Sequence, residues 1–297
     1  MTTPDPQVGR APSANGPVGV FDSGVGGLTI LSDLLRELPA ERFLYVGDTG
    51  NCPYGVRPQA EIQELSIAAG RFLIEHGAKI IVVACNTASV SALAELRERL
   101  PQIKFVGVVP AVKPAAERTR AGVVGVAATE ASANGSFLKE LIRQHANGVR
   151  VLAVGCPSLV TLAEAGVLDG PEAETAVRGY IEPMLREGID KLVLGCTHFP
   201  AMRAIFEEIA GPDIEVIDSG AAVALQTRRV LTRERLLSPA DGGPASTSRA
   251  LRPDDEFWCS GDPRHFERVA RAILHQPVTA RMSHELAPDS LASSFSS

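Results

Sequence analysis

Two cysteines carry the most distinctive chemistry in this chain. Cys85 and Cys196 each follow a run of buried-type residues, Ile80-Ile81-Val82-Val83-Ala84 and Lys191-Leu192-Val193-Leu194-Gly195. Polar groups come next: Asn86 and Thr87 after the first cysteine, Thr197 and His198 after the second. A thiol at the carboxyl end of a buried strand, just before a helix N-terminus, feels the positive end of the helix dipole, which lowers its pKa from about 8.5. One such cysteine reads as a small buried hydrophobe. Two of them, 111 residues apart in like settings, read as a working pair. Inverting a stereocentre α to a carboxylate needs one group to remove a proton and another, on the opposite face, to return one. Each sulfur would alternate between thiolate base and thiol acid, with nearby acids and imidazoles setting its protonation.

Other polar groups cluster where loops should follow strands. Val20-Phe21-Asp22-Ser23-Gly24-Val25-Gly26-Gly27-Leu28 reads as a strand, a Gly-rich turn and a helix start, a pattern that offers backbone N–H groups to an anion. It lacks the Gly-Lys-Ser/Thr of a P-loop, and Thr29 stands where a dinucleotide fingerprint needs its third glycine, so a small carboxylate fits as well as a phosphate. Asp48-Thr49-Gly50-Asn51-Cys52-Pro53-Tyr54-Gly55 could present Tyr54 and backbone donors to the same ligand, with Cys52 in a structural role before its proline. Glu164 and His198 each read as a functional group or as an ordinary helix charge and loop histidine. The chain has no CxxC and no HxxxH spacing, so neither a metal nor another cofactor is expected.

The elements that must position these groups alternate. Strands are expected at Val18–Phe21, Phe43–Val46, Ile80–Ala84, Lys104–Val108, Val123–Ala127, Val149–Val154, Lys191–Leu194, Ile214–Ile217 and Glu256–Cys259. Several are apolar throughout, as strands covered on both faces should be. Between them lie helical patterns such as Pro58–His76, with Gly77 just past its end, and Pro200–Ala210, stopped by Gly211. The fold class is α/β, with parallel sheets. An internal repeat sets Glu75–Thr87 on Arg186–His198 without gaps, and Phe21-Asp22-Ser23-Gly24 recurs as Ile217-Asp218-Ser219-Gly220. Both matches are short. They predict two pseudo-symmetric parallel-sheet α/β domains, one formed by 17–109 plus 219–275 and the other by 110–218, with the site between them. Residues 1–16 and 276–297 read as disordered tails rich in Pro, Ser, Gly and Asn or Ala.

Composition removes several classes. With 29 Lys+Arg against 35 Asp+Glu the net charge is −6, unsuited to a nucleic-acid surface. No apolar run approaches the roughly 18 residues of a membrane span, and the N-terminus lacks the apolar stretch of a signal peptide. Five cysteines in a long chain without secretory features are expected to be reduced. The partner is expected to be a small molecule, and a homodimer stays open.

The segments VFDSGVGGL (20–28), GDTGNCPYG (47–55), VVACNTAS (82–89), LVTLAEAG (159–166), LVLGCTHFP (192–200) and VIDSG (216–220) resemble the bacterial glutamate racemases, as does FWCSGDPRHFERVARAIL (257–274). The similarity runs from about Pro17 to Leu274. It implies a cofactor-independent, two-base racemase with Cys85 and Cys196 on opposite faces of glutamate. It also implies ligand contacts from Asp22, Ser23, Tyr54, Gly55, Asn86, Thr87, Thr197 and His198. Asp22 would assist on the Cys85 side, and His198 with Glu164 on the Cys196 side. A cytoplasmic enzyme supplying D-glutamate to peptidoglycan precursors is the implied role. Gly50-Asn51, the Val109–Pro114 loop and the Thr129–Asn134 run depart from the family pattern, so contacts from Gly50, Asn51 and the latter two segments are not carried over. Two rivals remain: a racemase of aspartate or another amino acid, and a non-catalytic anion-binding protein whose two cysteines are structural.

Overall fold

The computed structural model describes residues 12–240, 242–245 and 247–287. Strands β1 (Val18–Asp22), β2 (Phe43–Gly47), β3 (Ile80–Val83) and β4 (Phe105–Gly107) are linked by helices α1 (Leu28–Glu37), α2 (Gln59–Glu75) and α3 (Asn86–Arg99). After α4 (Val112–Arg118) a second set begins, with strands β5 (Val123–Ala128), β6 (Arg150–Gly155), β7 (Lys191–Gly195) and β8 (Glu215–Ile217). Its connections are α5 (Glu130–Asn134), α6 (Ser136–His145), α7 (Pro157–Ala165), α8 (Gly170–Arg186) and α9 (Arg203–Ala210). The chain returns through α10 (Gly220–Arg233), β9 (Glu256–Cys259), α11 (Pro263–Leu274) and β10 (Ala280–Met282).

Two parallel sheets result, in the orders β10-β9-β2-β1-β3-β4 and β6-β5-β7-β8. Removing β9 and β10 leaves the same winding twice, with the first strand central and the third beside it. The residues explain the layering. Val18 and Val20 of β1 face one apolar cluster with Leu31, Leu34 and Phe266, whereas Phe21 faces the other with Phe72 and Leu73. The second sheet is likewise covered on both sides. Strands enclosed on both faces need no polar alternation, which is why their runs are continuously apolar.

All nine expected strands form, with ends shifted by a residue or so. The repeat Glu75–Thr87 on Arg186–His198 superposes β3 on β7, equivalent strands of the two sheets. The second match does not. Asp22 closes β1, but Asp218 follows β8, the counterpart of β4. What those two tetrapeptides share is a local turn: each aspartate accepts the N–H of the glycine two residues on, Gly24 or Gly220, at 2.7 Å.

The tails also differ from expectation. Beyond residue 276, β10 adds to the first sheet, Ser283 N–H donates to Cys259 O at 2.8 Å, and Leu286 is buried against the α2–α3 side. Ala280-Arg281-Met282 carries no apolar run to announce a strand. At the other end, Gly16 closes a turn on Ser13, and the buried Lys79 ammonium donates to Ala14 O while pairing with Glu41. Residues 1–11 and 288–297 lie outside the described residues.

Candidate active site

Both cysteines emerge at the carboxyl ends of equivalent strands, where ligands bind in open parallel sheets. Cys85 is the residue before α3, and its Sγ accepts the Ala88 N–H at 3.4 Å while its own S–H donates to Ser23 Oγ at 3.4 Å. The helix dipole was expected to lower this thiol. Instead, burial pushes it up to about 12, with Asp22 nearby adding to the effect and the Ser23 and Ala88 bonds opposing it. In this closed, dry setting desolvation outweighs a dipole end.

The Cys196 environment is different. No α-helix begins there; Thr197 and His198 intervene before a short 3₁₀ turn at Phe199–Met202. An imidazole takes the place of the dipole. Cys196 Sγ lies 3.4 Å from His198 Nδ1, and His198 Nε2 lies 2.5 Å from Glu164 Oε1 on α7. Burial alone would lower the His198 pKa, but the adjoining sulfur and carboxylate raise it well above the ordinary histidine value. Burial likewise disfavours the Glu164 carboxylate, yet the His198 contact and the Val25 N–H hold it below the usual range. Both shifts favour an imidazolium paired with a carboxylate.

Asp22 lies at the end of β1, fully buried. Its carboxylate accepts the Gly24 N–H at 2.7 Å and the Thr197 hydroxyl at 3.2 Å, so it spans the two domains. Burial pushes its pKa up to about 6, with His198 and the backbone bonds opposing.

The glycines of the turn serve a purpose the sequence did not disclose. A Cβ on Gly24 would stand 1.9 Å from Glu164 Oε1, and one on Gly26 would stand 2.8 Å from His198 Nδ1. Both positions must lack a side chain so that the second domain can close on this loop. The anion that the turn holds is Glu164 itself, whose Oε1 accepts the Val25 N–H at 2.9 Å. Thr29 adds another tie across the cleft by donating to Thr197 O at 2.9 Å.

The remaining expected residues gather round one cavity of about 20 Å³ that both cysteines line, room for about one water. Ser23, Tyr54, Gly55, Asn86, Thr87, Thr197 and His198 all line it with the two cysteines. Tyr54 contributes its ring, because its hydroxyl is taken by Asp48 Oδ2 at 2.6 Å. Asn86 is the most telling. Its side-chain amide nitrogen is buried with no hydrogen-bond partner, and an unsatisfied buried donor costs about 1–3 kcal/mol. At the cavity wall this donor is available to an acceptor.

Two lining or neighbouring residues were missed. Thr129, in a run that departs from the family pattern, caps α5 and stands 3.4 Å from the Thr87 hydroxyl. Cys52, expected to be structural, has its sulfur in a group with Glu164 and His198 whose ligand-type atoms all lie within 4.8 Å of one another. A larger cavity of about 540 Å³ opens where Asn86, Cys196 and Thr197 meet Asp33, Arg203 and Asp218, toward α1, α9 and α10.

Two like α/β domains, each bringing a cysteine from an equivalent strand to one small cavity, have the architecture of a two-domain racemase. Residues 27–227 match the family model described as Asp/Glu/Hydantoin racemase, and the chain belongs to that family. Similar proteins include the glutamate racemase of Herpetosiphon aurantiacus, 46% identical over 86% of this chain and 97% of its own length. The crystal structure of glutamate racemase from Francisella tularensis in complex with D-glutamate aligns with a TM-score of 0.77 at 28% identity, covering 92% of this chain and 98% of that one. The Escherichia coli glutamate racemase, solved with L-glutamate and the activator UDP-MurNAc-ala, aligns with a TM-score of 0.76 at 31% identity over 90% and 97%.

Proposed function

We propose that this chain interconverts L- and D-glutamate without a cofactor, with Cys85 and Cys196 as the acid and base on opposite faces of Cα. The observation that carries this reading is the delivery of the two sulfurs to one cavity from β3 and β7, the same strand of two like domains. One thiolate takes the α-proton, leaving the electron pair on Cα and its carboxylate; the other thiol donates its proton to the opposite face and becomes the new thiolate. The resting charges favour one direction of use. Burial holds Cys85 as a thiol, so it serves first as the acid, and the sulfur beside His198, Cys196, takes the part of the first base. Asp22, with its carboxyl near 6, is the titratable group beside Cys85 that relays protons for the reverse turnover.

The unpaired Asn86 amide and the hydroxyls of Thr87 and Thr129 receive a substrate carboxylate. The Asp22–Thr197 and Val25–Glu164 bonds across the cleft must part for glutamate to enter. The same reading makes the enzyme a cytoplasmic source of D-glutamate for peptidoglycan precursors. Consistent with that, no helix among the described residues is long and apolar enough to cross a membrane. The domains are assigned as 17–109 plus the returning segment after 219, now extended through β10, and 110–218. Circular dichroism of purified protein with each enantiomer of glutamate and aspartate tests the proposal. Loss of optical activity from both glutamate enantiomers is expected, and a stable signal from both would overturn it.

A further inference from the structure

We propose that Cys52, Glu164 and His198 form a binding site for a thiophilic divalent cation of the Zn²⁺ type, and that occupancy switches the racemase off. The inhibitory half rests on the racemase reading above; the binding half does not. Among the described residues, these three form the group of histidine, cysteine and acidic side chains able to surround one ion, with ligand atoms all within 4.8 Å. They offer one sulfur, one imidazole nitrogen and one carboxylate oxygen, a donor set that suits zinc and leaves a fourth position open. Bond lengths of about 2.0–2.3 Å place tetrahedral ligand atoms about 3.3–3.7 Å apart. The present 2.5 Å between His198 Nε2 and Glu164 Oε1 would thus widen by roughly 1 Å, within a side-chain adjustment.

Two of the three ligands reach the surface, Cys52 half-buried and the Glu164 side chain 19% exposed, with the His198 ring buried behind them. His198 can keep Nδ1 toward Cys196 while Nε2 turns to the metal, an arrangement in which the second nitrogen orients the ring. The consequence for catalysis is direct. A metal on Nε2 takes the place that the Glu164 carboxylate now holds against the ring, and it draws His198 and Glu164 out of the contact that sets the imidazole on Cys196. Cys196 then loses the imidazole partner placed for proton exchange.

The test uses the full chain, stripped with chelator, in two measurements. Calorimetric titration with Zn²⁺ alone should show a single equivalent bound, weakened at least tenfold in Cys52→Ser, and Co²⁺ substitution should give a sulfur-to-metal charge-transfer band that Cys52→Ser abolishes. Racemisation with free Zn²⁺ fixed by a metal buffer (glutamate itself chelates) should be inhibited in the wild type, with the inhibition constant raised at least tenfold in Cys52→Ser relative to that variant's own zinc-free rate. Cys259→Ser, buried in β9, should leave the zinc response unchanged. Equal zinc affinity and an equal charge-transfer band in Cys52→Ser would overturn the site, as would loss of the band in Cys85→Ala with retention in Cys52→Ser. A protein that binds zinc as described but turns over neither enantiomer would leave the site standing and defeat the racemase reading instead.

Discussion

Replacing Asp22 with asparagine should stabilise the protein while disabling it. The carboxyl titrates at 3.8 in the unfolded chain and is pushed up to about 6 in the fold. Two units correspond to about 3 kcal/mol, the net cost of holding that charge in a dry site. Asparagine keeps an oxygen for the Gly24 N–H and a polar partner for Thr197, so the charge is the main thing removed. The pH dependence follows from the raised value. Below 3.8 the carboxyl is protonated in both states and the term vanishes; above 6 it is ionised in both and the folded state carries the whole cost. Thermal unfolding of wild type and Asp22→Asn should therefore differ by about 3 kcal/mol at pH 8, a Tm difference of several degrees in favour of the variant. The gap should shrink to about half by pH 5. Racemisation should fall by about 100-fold or more, the usual loss when a positioned acid–base group is removed. A variant no more stable than wild type at pH 8, or a gap that ignores pH, would refute the claim that this buried charge is maintained at a cost to folding.

Glu164→Gln removes the counter-ion of His198, so kcat/KM should fall by about 10–100-fold. Its alkaline limb should also move to lower pH, because the cation His198 keeps through its raised pKa is lost sooner. Gly24→Ala should mimic this, since its Cβ would displace the same carboxylate. Cys85→Ala and Cys196→Ala should each abolish racemisation of both enantiomers by polarimetry, while Cys259→Ala, remote in β9, should retain it. Glutamate should exceed aspartate by roughly 10–100-fold in kcat/KM, since a side chain one methylene shorter leaves a buried donor such as Asn86 unpaired at about 1–3 kcal/mol; equal rates by circular dichroism would contradict that.

The sheets were legible because strands enclosed on both faces are written as continuous apolar runs, such as Ile80-Ile81-Val82-Val83. β10 was not, because its three residues are held by pairing with β9 and by Leu286 docking, neither of which leaves a local pattern. At the site, the cysteines, Asp22 and the polar residues after β3 and β7 were readable from their places at strand ends. The electrostatics were harder. A dipole argument made on sequence could not weigh the burial of Cys85, nor see that His198 rather than a helix end attends Cys196. The proximity of Cys52 to Glu164 joins segments far apart in the chain, and only closure of the two domains brings them together. The same closure gives Gly24 and Gly26 their purpose, which no local reading of a Gly-rich turn contains.

The central claim, that two single-proton thiols serve opposite faces of Cα, is tested most directly by running each glutamate enantiomer in D₂O to low conversion and reading the α-position by mass and chirality. A thiolate that removes protium from one face while a deuterated thiol delivers to the other predicts product that carries deuterium and residual substrate that stays protiated, from both directions. Product that retains the substrate's own proton, or substrate that exchanges with solvent before any product appears, would contradict it.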